Sequence, residues 1–253
     1  GQNHGFGMRP PIADSHGFKG TMPLPPAATA YVRARGADPK SSFGDFVALS
    51  DPVDLPTAEV LRGVVSDGIV APGYEEGAFA VLAAKKGGAF VVMEADPSFR
   101  PPAREAREVF GMRLEQDRND VPVTAKHLEH VVCGTLTPDA RRDLLLALIA
   151  IKYTQSNSVG YALDGQMIGI GAGQQSRVDC TRLAGSKADV WHLGRHPKVL
   201  ALAFRPEVKR QERINARVRY IEGDLTPGEE KALRDVLAGP LAPLTAEERR
   251  SFL

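Results

Sequence analysis

The chain has 253 residues, 43% of them hydrophobic, and 32 lysines and arginines against 31 aspartates and glutamates, for a net charge of +1. That length supports one large domain or two modest ones with a real core, and the near-neutral balance gives no argument for a nucleic-acid or membrane partner. No apolar run reaches spanning length, no charged-then-apolar signal pattern opens the chain, and two cysteines, Cys133 and Cys180, make neither a disulfide framework nor a zinc quartet, so a cytoplasmic setting is expected.

Residues 1–27 are rich in Gly and Pro without periodicity and read as an arm or loop. Ala28–Ala37 fits a short helix. Phe43–Leu49 fits a strand entered through a tight turn. Pro56–Val65 carries a helical apolar pattern with Thr57 as N-cap, Gly68–Pro72 a short strand, Glu75–Lys86 a helix and Ala89–Glu94 an apolar strand. Strands alternating with helices imply an α/β layer structure.

Three prolines between Asp96 and Pro102 mark a crossover, and Gly111–Asp117 fits a strand. Thr137-Pro138-Asp139 is a strong helix start: N-cap, proline at the first helical position, acid in the first turn. Its body, Leu144–Ile151, is apolar nearly all round and predicts a helix buried on most faces. Ile151–Leu183 predicts a helix end, a polar turn, two short strands and a glycine-rich corner. Trp191–Phe204 and Val208–Val218 fit helices, and Thr226–Glu229 and Thr245–Glu248 are capping boxes. Two βαβ-like halves split near residue 100 are the simplest organisation.

Gly169–Arg177 (GIGAGQQSR) follows an apolar strand and precedes a helix. Backbone N–H groups at a helix start can cradle an anion, and glycine lets a ligand approach the chain. The spacing is neither the dinucleotide fingerprint nor a Walker loop. A glycine turn is equally a structural device, but Arg177 suits a phosphate or carboxylate at such a place. Gln155–Ser158 either caps the preceding helix or, through Asn157, holds a polar ring substituent. Ser41–Asp45 reads first as a turn into a strand. In Ser66-Asp67-Gly68 a buried aspartate would need a donor such as a ligand amine, while a turn aspartate is the commoner reading. His127 and His130 are three apart on one helical face with no further metal ligands, and read as solvated.

Five stretches together resemble one family: Arg33–Asp51 (RARGADPKSSFGDFVALSD), Val65–Glu76 (VSDGIVAPGYEE), Lys152–Val159 (KYTQSNSV), Asp164–Gly185 (DGQMIGIGAGQQSRVDCTRLAG) and His196–Leu200 (HPKVL). They are similar to the AICAR transformylase domain of the PurH family, from about Tyr31 onward. The resemblance implies a three-layer α/β/α fold of two cytidine-deaminase-like halves, here a truncated first half in 1–98 and a second half in 99–253, assembled as a homodimer with shared active sites. It implies transfer of a formyl group from 10-formyltetrahydrofolate to the amine of AICAR, an aminoimidazole-carboxamide ribonucleotide. Residue by residue, Gly44 would approach the imidazole ring and Asp67 the amine or folate head group. Asn157 would orient the amine and carboxamide, and Arg177 would bind near the carboxamide or folate. Ser176 and Val178 would line the pterin, and Lys40 stands at a folate position.

The departures are equally specific. The family's Lys-His pair, which carries the base, is absent between Pro11 and Ala28, and the chain ends before the family's Phe-Phe-Pro-Phe-Arg-Asp segment. Pro39-Lys40 replaces Arg-Met, and Asp179 replaces His. Formyl transfer needs a base at a poorly nucleophilic amine. His16 is the candidate substitute, with Lys40 or a partner subunit as other sources. The alternatives are a diverged paralogue acting on another purine-like or azole nucleotide, and a non-catalytic partner subunit.

Overall fold

The computed structural model describes residues 24–253. It is mixed α/β, consistent with an α/β/α layering. Helix α1 (Pro26–Arg35) starts on proline, buries Ala28, Tyr31 and Val32 on one face and ends on Arg33 and Arg35, whose charges suit its C-terminus. Strands β1 (Phe46–Ala48), β2 (Gly68–Ala71) and β3 (Val91–Glu94) form a parallel sheet in that order, with Phe46, Gly68 and Val91 in register. The crossovers are helices α2 (Leu55–Arg62) and α3 (Glu76–Ala83), as the alternating pattern predicted. Val47, Ile69, Leu61 and Leu82 meet beneath the sheet in the first core, with Phe90 at its edge. The other face, bearing Phe46, Val91 and Met93, is exposed. The cap of α2 is Asp54, not Thr57: the Asp54 carboxylate accepts from Thr57 N at 2.8 Å, and Thr57 is buried in the first turn.

Beyond residue 99 the strands pair as antiparallel hairpins, where a second βαβ unit was expected. Strands β4 (Arg104–Val109) and β5 (Met112–Asp117) are joined at Phe110-Gly111, both at positive φ, the geometry of a two-residue hairpin turn. Strand β4 was not foreseen because its charged residues break any apolar alternation.

Helix α4 (Pro138–Lys152) begins on Thr137, whose hydroxyl accepts from Ala140 N at 3.2 Å. The expected burial on most faces is not seen: Ala147 is the buried residue, while Leu144 is 41% and Ile149 44% exposed. Strands β6 (Ser158–Leu163) and β7 (Gln166–Ala172) follow, joined at Asp164-Gly165. The Asp143 carboxylate fixes that turn, accepting from Asp164 N at 2.9 Å and Gly165 N at 2.8 Å.

Helix α5 runs Arg177–Leu193, ends at Gly194, and is followed by the short α6 (Pro197–Leu200); the single helix expected over Trp191–Phe204 is the end of α5 and then α6, with a break between them. The start of α5 after the glycine corner is as expected, but its length was not legible because its packing face is Cys180, Ala184 and Ala188, small residues four apart that give little apolar signal. These face Gly169 and Gly171 of β7. Helices α7 (Arg210–Glu222), α8 (Pro227–Val236) and α9 (Ala246–Phe252) complete the chain around a core of Leu193, Tyr220, Ile221 and Leu233. Both predicted capping boxes are formed. Helix α7 also braces the first sheet's entry loop: Gln211 Nε2 donates to Pro39 O at 2.9 Å, and Ser41 N donates to Asn215 Oδ1 at 2.8 Å. Among the described residues no helix is long and apolar enough to cross a membrane, and no three His, Cys, Asp or Glu side chains are grouped to hold a metal.

Candidate functional site

The residues singled out in the sequence fall into two groups. The first sits at the amino ends of the parallel strands. Here the Ser41–Asp45 loop carries Ser41 and Gly44 at positive φ, and Arg35 holds it in place. One guanidinium nitrogen binds Asp45 Oδ2 at 2.6 Å and Tyr31 Oη at 3.3 Å; the other donates to Ser42 O at 3.0 Å and Val65 O at 2.9 Å. Asp67 N donates to Asp45 O at 2.8 Å, which ties the two turns to each other. A Cβ built on Gly44 would lie 3.7 Å from Asp67 Oδ2, which places the bare backbone of Gly44 beside that carboxylate. Asp67 is not the buried, unpartnered acid that a ligand amine would have to satisfy. Its side chain is half exposed and paired with Lys86.

The second group surrounds the start of α5. Asn157 Nδ2 donates to Gln174 O at 3.1 Å and Gln175 O at 2.9 Å, and Cys180 Sγ donates to Asn157 O at 2.9 Å. Two carbonyl acceptors fix which end of the amide faces the corner, leaving Oδ1 for an outside donor. The turn's side chains do not cap α4, whose last carbonyls accept from Tyr153 N, Thr154 N and the Thr154 hydroxyl; Asn157 instead ties the turn to the glycine corner and presents an acceptor. Ser176 is the N-cap of α5, its hydroxyl accepting from Asp179 N at 3.3 Å. Arg177 and Val178 follow in the exposed first turn. A long helix starting at an exposed arginine favours an anion or a carbonyl oxygen, because unpaired N–H groups and the helix dipole point the same way.

Of the two roles left open for the glycines, the structural one applies to Gly169 and Gly171. Cβ atoms on Gly169 and Gly171 would meet the backbone of α5, at 2.2 Å from Ala184 O and 2.2 Å from Cys180 O. They let the helix lie against the strand, and do not line a ligand surface. Gly173, at φ 68°, makes the corner itself.

Lys40 stands apart from Ser176 and Val178: its amine binds Glu222 at 2.6 Å. It edges an apolar cavity of about 120 Å³ between the entry loop and helices α5 and α7, lined by Ala37, Val190, Trp191 and Val218 among others. That cavity contains none of Gly44, Asp67, Asn157 or Arg177. His16 lies outside the described residues. Among the described residues no hydrogen bond or ion pair joins the Gly44–Asp67 group to the Asn157–Arg177 group. Sequence reasoning overlooked Arg35 and the consecutive Lys85 and Lys86, and read Asp45 only as part of a turn. The one local signal was Lys-Lys-Gly-Gly after a helix, a turn signature that says nothing of where the lysines point.

A protein-family model, described as the AICARFT/IMPCHase bienzyme, matches residues 20–187, a stretch that contains both groups. The chain belongs to the AICARFT/IMPCHase bienzyme family. Among curated relatives, the bifunctional purine biosynthesis protein PurH of Dinoroseobacter shibae is 38% identical over 161 residues, covering 64% of this chain and 30% of that protein. PurH of Cereibacter sphaeroides strains is 39% identical over 161 residues with the same coverage. The match therefore spans under a third of these relatives' length. Within the family stretch lie α1, the parallel sheet, both hairpins and the first turns of α5; helices α7–α9 lie beyond it.

Proposed function

We propose that this chain moves a formyl group from 10-formyltetrahydrofolate to the amine of an AICAR-like nucleotide. Family membership supports the reaction class, and the observation that carries the reading is the corner at Asn157. There a side-chain acceptor of fixed orientation stands beside an arginine in the first turn of a 17-residue helix. An ortho amine and carboxamide on one ring ask for that pair: an acceptor for N–H and a cationic donor for the carboxamide oxygen. In this reading Gly44 passes under the ring, Asp67 receives the amine or the folate head, and Ser176 and Val178 meet the pterin. Arg177 and the α5 N–H groups also stabilise the oxyanion that forms when the amine adds to the formyl carbon. The floor is then shared between 1–98 and 99–253.

The same reading makes the protein a cytoplasmic homodimer. Phe110 is 97% exposed, Tyr153 79% and Phe99 66%, alongside the bare apolar residues of α4. Large exposed apolar side chains of this kind are what a second copy of the chain would cover in that reading. A paralogue handling a different azole nucleotide is the second reading, favoured by the missing Lys-His pair and by Asp179 where the family has His.

Titration calorimetry with AICAR tests the reading. Wild type is expected to bind, and Arg177→Met to bind roughly 10- to 100-fold more weakly, the loss of one charge-assisted hydrogen bond of about 1.5–3 kcal/mol. Folate-analogue binding with no AICAR binding, or equal affinity in Arg177→Met, refutes it. AICAR binding without folate binding favours the paralogue.

A further inference from the structure

Lys85 opens a short 3-10 turn, Lys85–Gly88, between α3 and β3. Lys86, Gly87 and Gly88 all take positive φ, which doubles the chain back so that neighbouring lysines reach neighbouring residues. Lys86 pairs with the Asp67 carboxylate, and Lys85 Nζ donates to Ser66 Oγ at 2.6 Å while lying 4.2 Å from the Phe90 ring centroid. Ser66 is fully buried and Phe90 nearly so. A carboxylate waits nearby: Asp45 Oδ1 is buried with no hydrogen-bond partner, while Oδ2 is held by Arg35.

The charged groups around Lys85 are Lys86 on its own turn, Asp67 ahead of β2, Asp45 ahead of β1 and Arg35 on α1. Burial first, then Lys86, push the ammonium down to about 8; Arg35 adds to this, and Asp45 and Asp67 oppose it. A lysine in this state holds a usable fraction of free amine near neutral pH.

We propose that Lys85 is the proton acceptor of the Gly44–Asp67 group, taking the place of the base that the sequence lacks at the family's position. This rests on the formyl-transfer reading. The aminoimidazole nitrogen bonds to the formyl carbon and gives its proton to the free amine of Lys85. The bond from that carbon to folate N10 then breaks. N10 leaves carrying the proton from the Lys85 ammonium, so the products are the formamide and tetrahydrofolate and the lysine is reset. Ser66 holds the amine in position, and its hydroxyl can turn to donate once the lysine is neutral.

Two measurements on the whole chain test this. The first is the pH dependence of formyl transfer for wild type, Lys85→Arg and Lys86→Met. Wild type is expected to rise with pH through about 8, because the base works only as free amine. Lys85→Arg, which keeps the charge and a donor for Ser66 but cannot deprotonate, loses on the order of 10²-fold in kcat, with AICAR affinity unchanged. Lys86→Met keeps the rising limb. A Lys85→Arg variant that turns over like wild type overturns the proposal. The second is trace acetylation with acetic anhydride read by mass spectrometry, in which bound AICAR is expected to shield Lys85. Formyl transfer with Lys85 labelled equally with and without AICAR overturns the role and leaves the reaction standing. A wild-type chain that binds AICAR, shields Lys85 and moves no formyl group refutes the transfer reading, and the proton-acceptor role falls with it.

Discussion

Replacing Gly171 with alanine tests why the glycine run is there. The new Cβ would sit 2.2 Å from Cys180 O, 3.0 Å from Ala184 N and 3.1 Å from the Cys180 carbonyl carbon. Ordinary contact begins at 3.4 Å, so helix and strand must part by about 1.2 Å. Every atom met is backbone, and no flexible side chain can yield. Overpacking costs about 1–3 kcal/mol, and a rigid contact of this kind falls at the upper end. For a chain of this size about 3 kcal/mol lowers Tm by about 6–12 °C. The displaced element is the start of α5, so AICAR affinity should fall together with stability. Gly185, on the same helix, has nothing within 4 Å of its Cβ position. Gly185→Ala should therefore be neutral, or stabilising by about 0.5–1 kcal/mol through the better helix former. Thermal melts followed by circular dichroism, with AICAR titration of each variant, read both effects. A Gly171→Ala protein that melts within about 1 °C of wild type refutes the close-packing explanation.

Arg35→Met should destabilise the chain by about 3 kcal/mol, the low end of the range for stripping one partner from a buried pair, since Asp45 retains some exposure. The carbonyls of Ser42 and Val65 lose their donor as well. A urea midpoint corresponding to less than about 1 kcal/mol would contradict the clamp role of Arg35. Acid sensitivity should concentrate in the C-terminal helices. Hydrogen bonds from the Thr226 backbone and hydroxyl, then Arg219, hold Glu229 down to about 2, and Lys198 followed by Thr245 does the same for Glu248. Folded values below the ordinary 4.5 mean that this stability is present above pH 4.5 and lost as pH falls toward 2. Melts taken across that interval should show a steeper decline for wild type than for a Glu229→Gln, Glu248→Gln double variant, and equal slopes would be the contrary result.

The sequence was most informative where a local rule decides the structure. The caps at Thr137, Thr226 and Thr245 formed as read, because a side chain three residues from its backbone partner needs no tertiary context. The parallel unit from β1 to β3 was legible for a similar reason: short apolar runs separated by helical patterns leave few ways to pair. Failures came where packing partners were remote in the chain. The face of α5 at Cys180, Ala184 and Ala188 carries almost no apolar signal, because closeness to two glycines substitutes for side-chain volume. The apolar body of α4 reads as buried, yet Leu144 and Ile149 are exposed in the single chain. Thr57 reads as a cap because a hydroxyl there satisfies the pattern, whereas Asp54, three residues earlier, takes the bond. At the site, the motifs located Asn157, Ser176 and Arg177 at one helix start and Gly44 beside Asp67. They could not show that Lys86 already pairs with Asp67, that Lys40 is tied to Glu222, or that Lys85 is turned toward Ser66, since each contact spans a stretch of chain whose folding no motif records.

The most direct measurement is tetrahydrofolate release, followed by absorbance, when the purified chain is mixed with AICAR and 10-formyltetrahydrofolate. Turnover above the uncatalysed rate that weakens in Arg177→Met is the predicted result. Saturating binding of both ligands with no tetrahydrofolate formed would contradict the proposal that this family floor, with the groups around it in this chain, carries out formyl transfer.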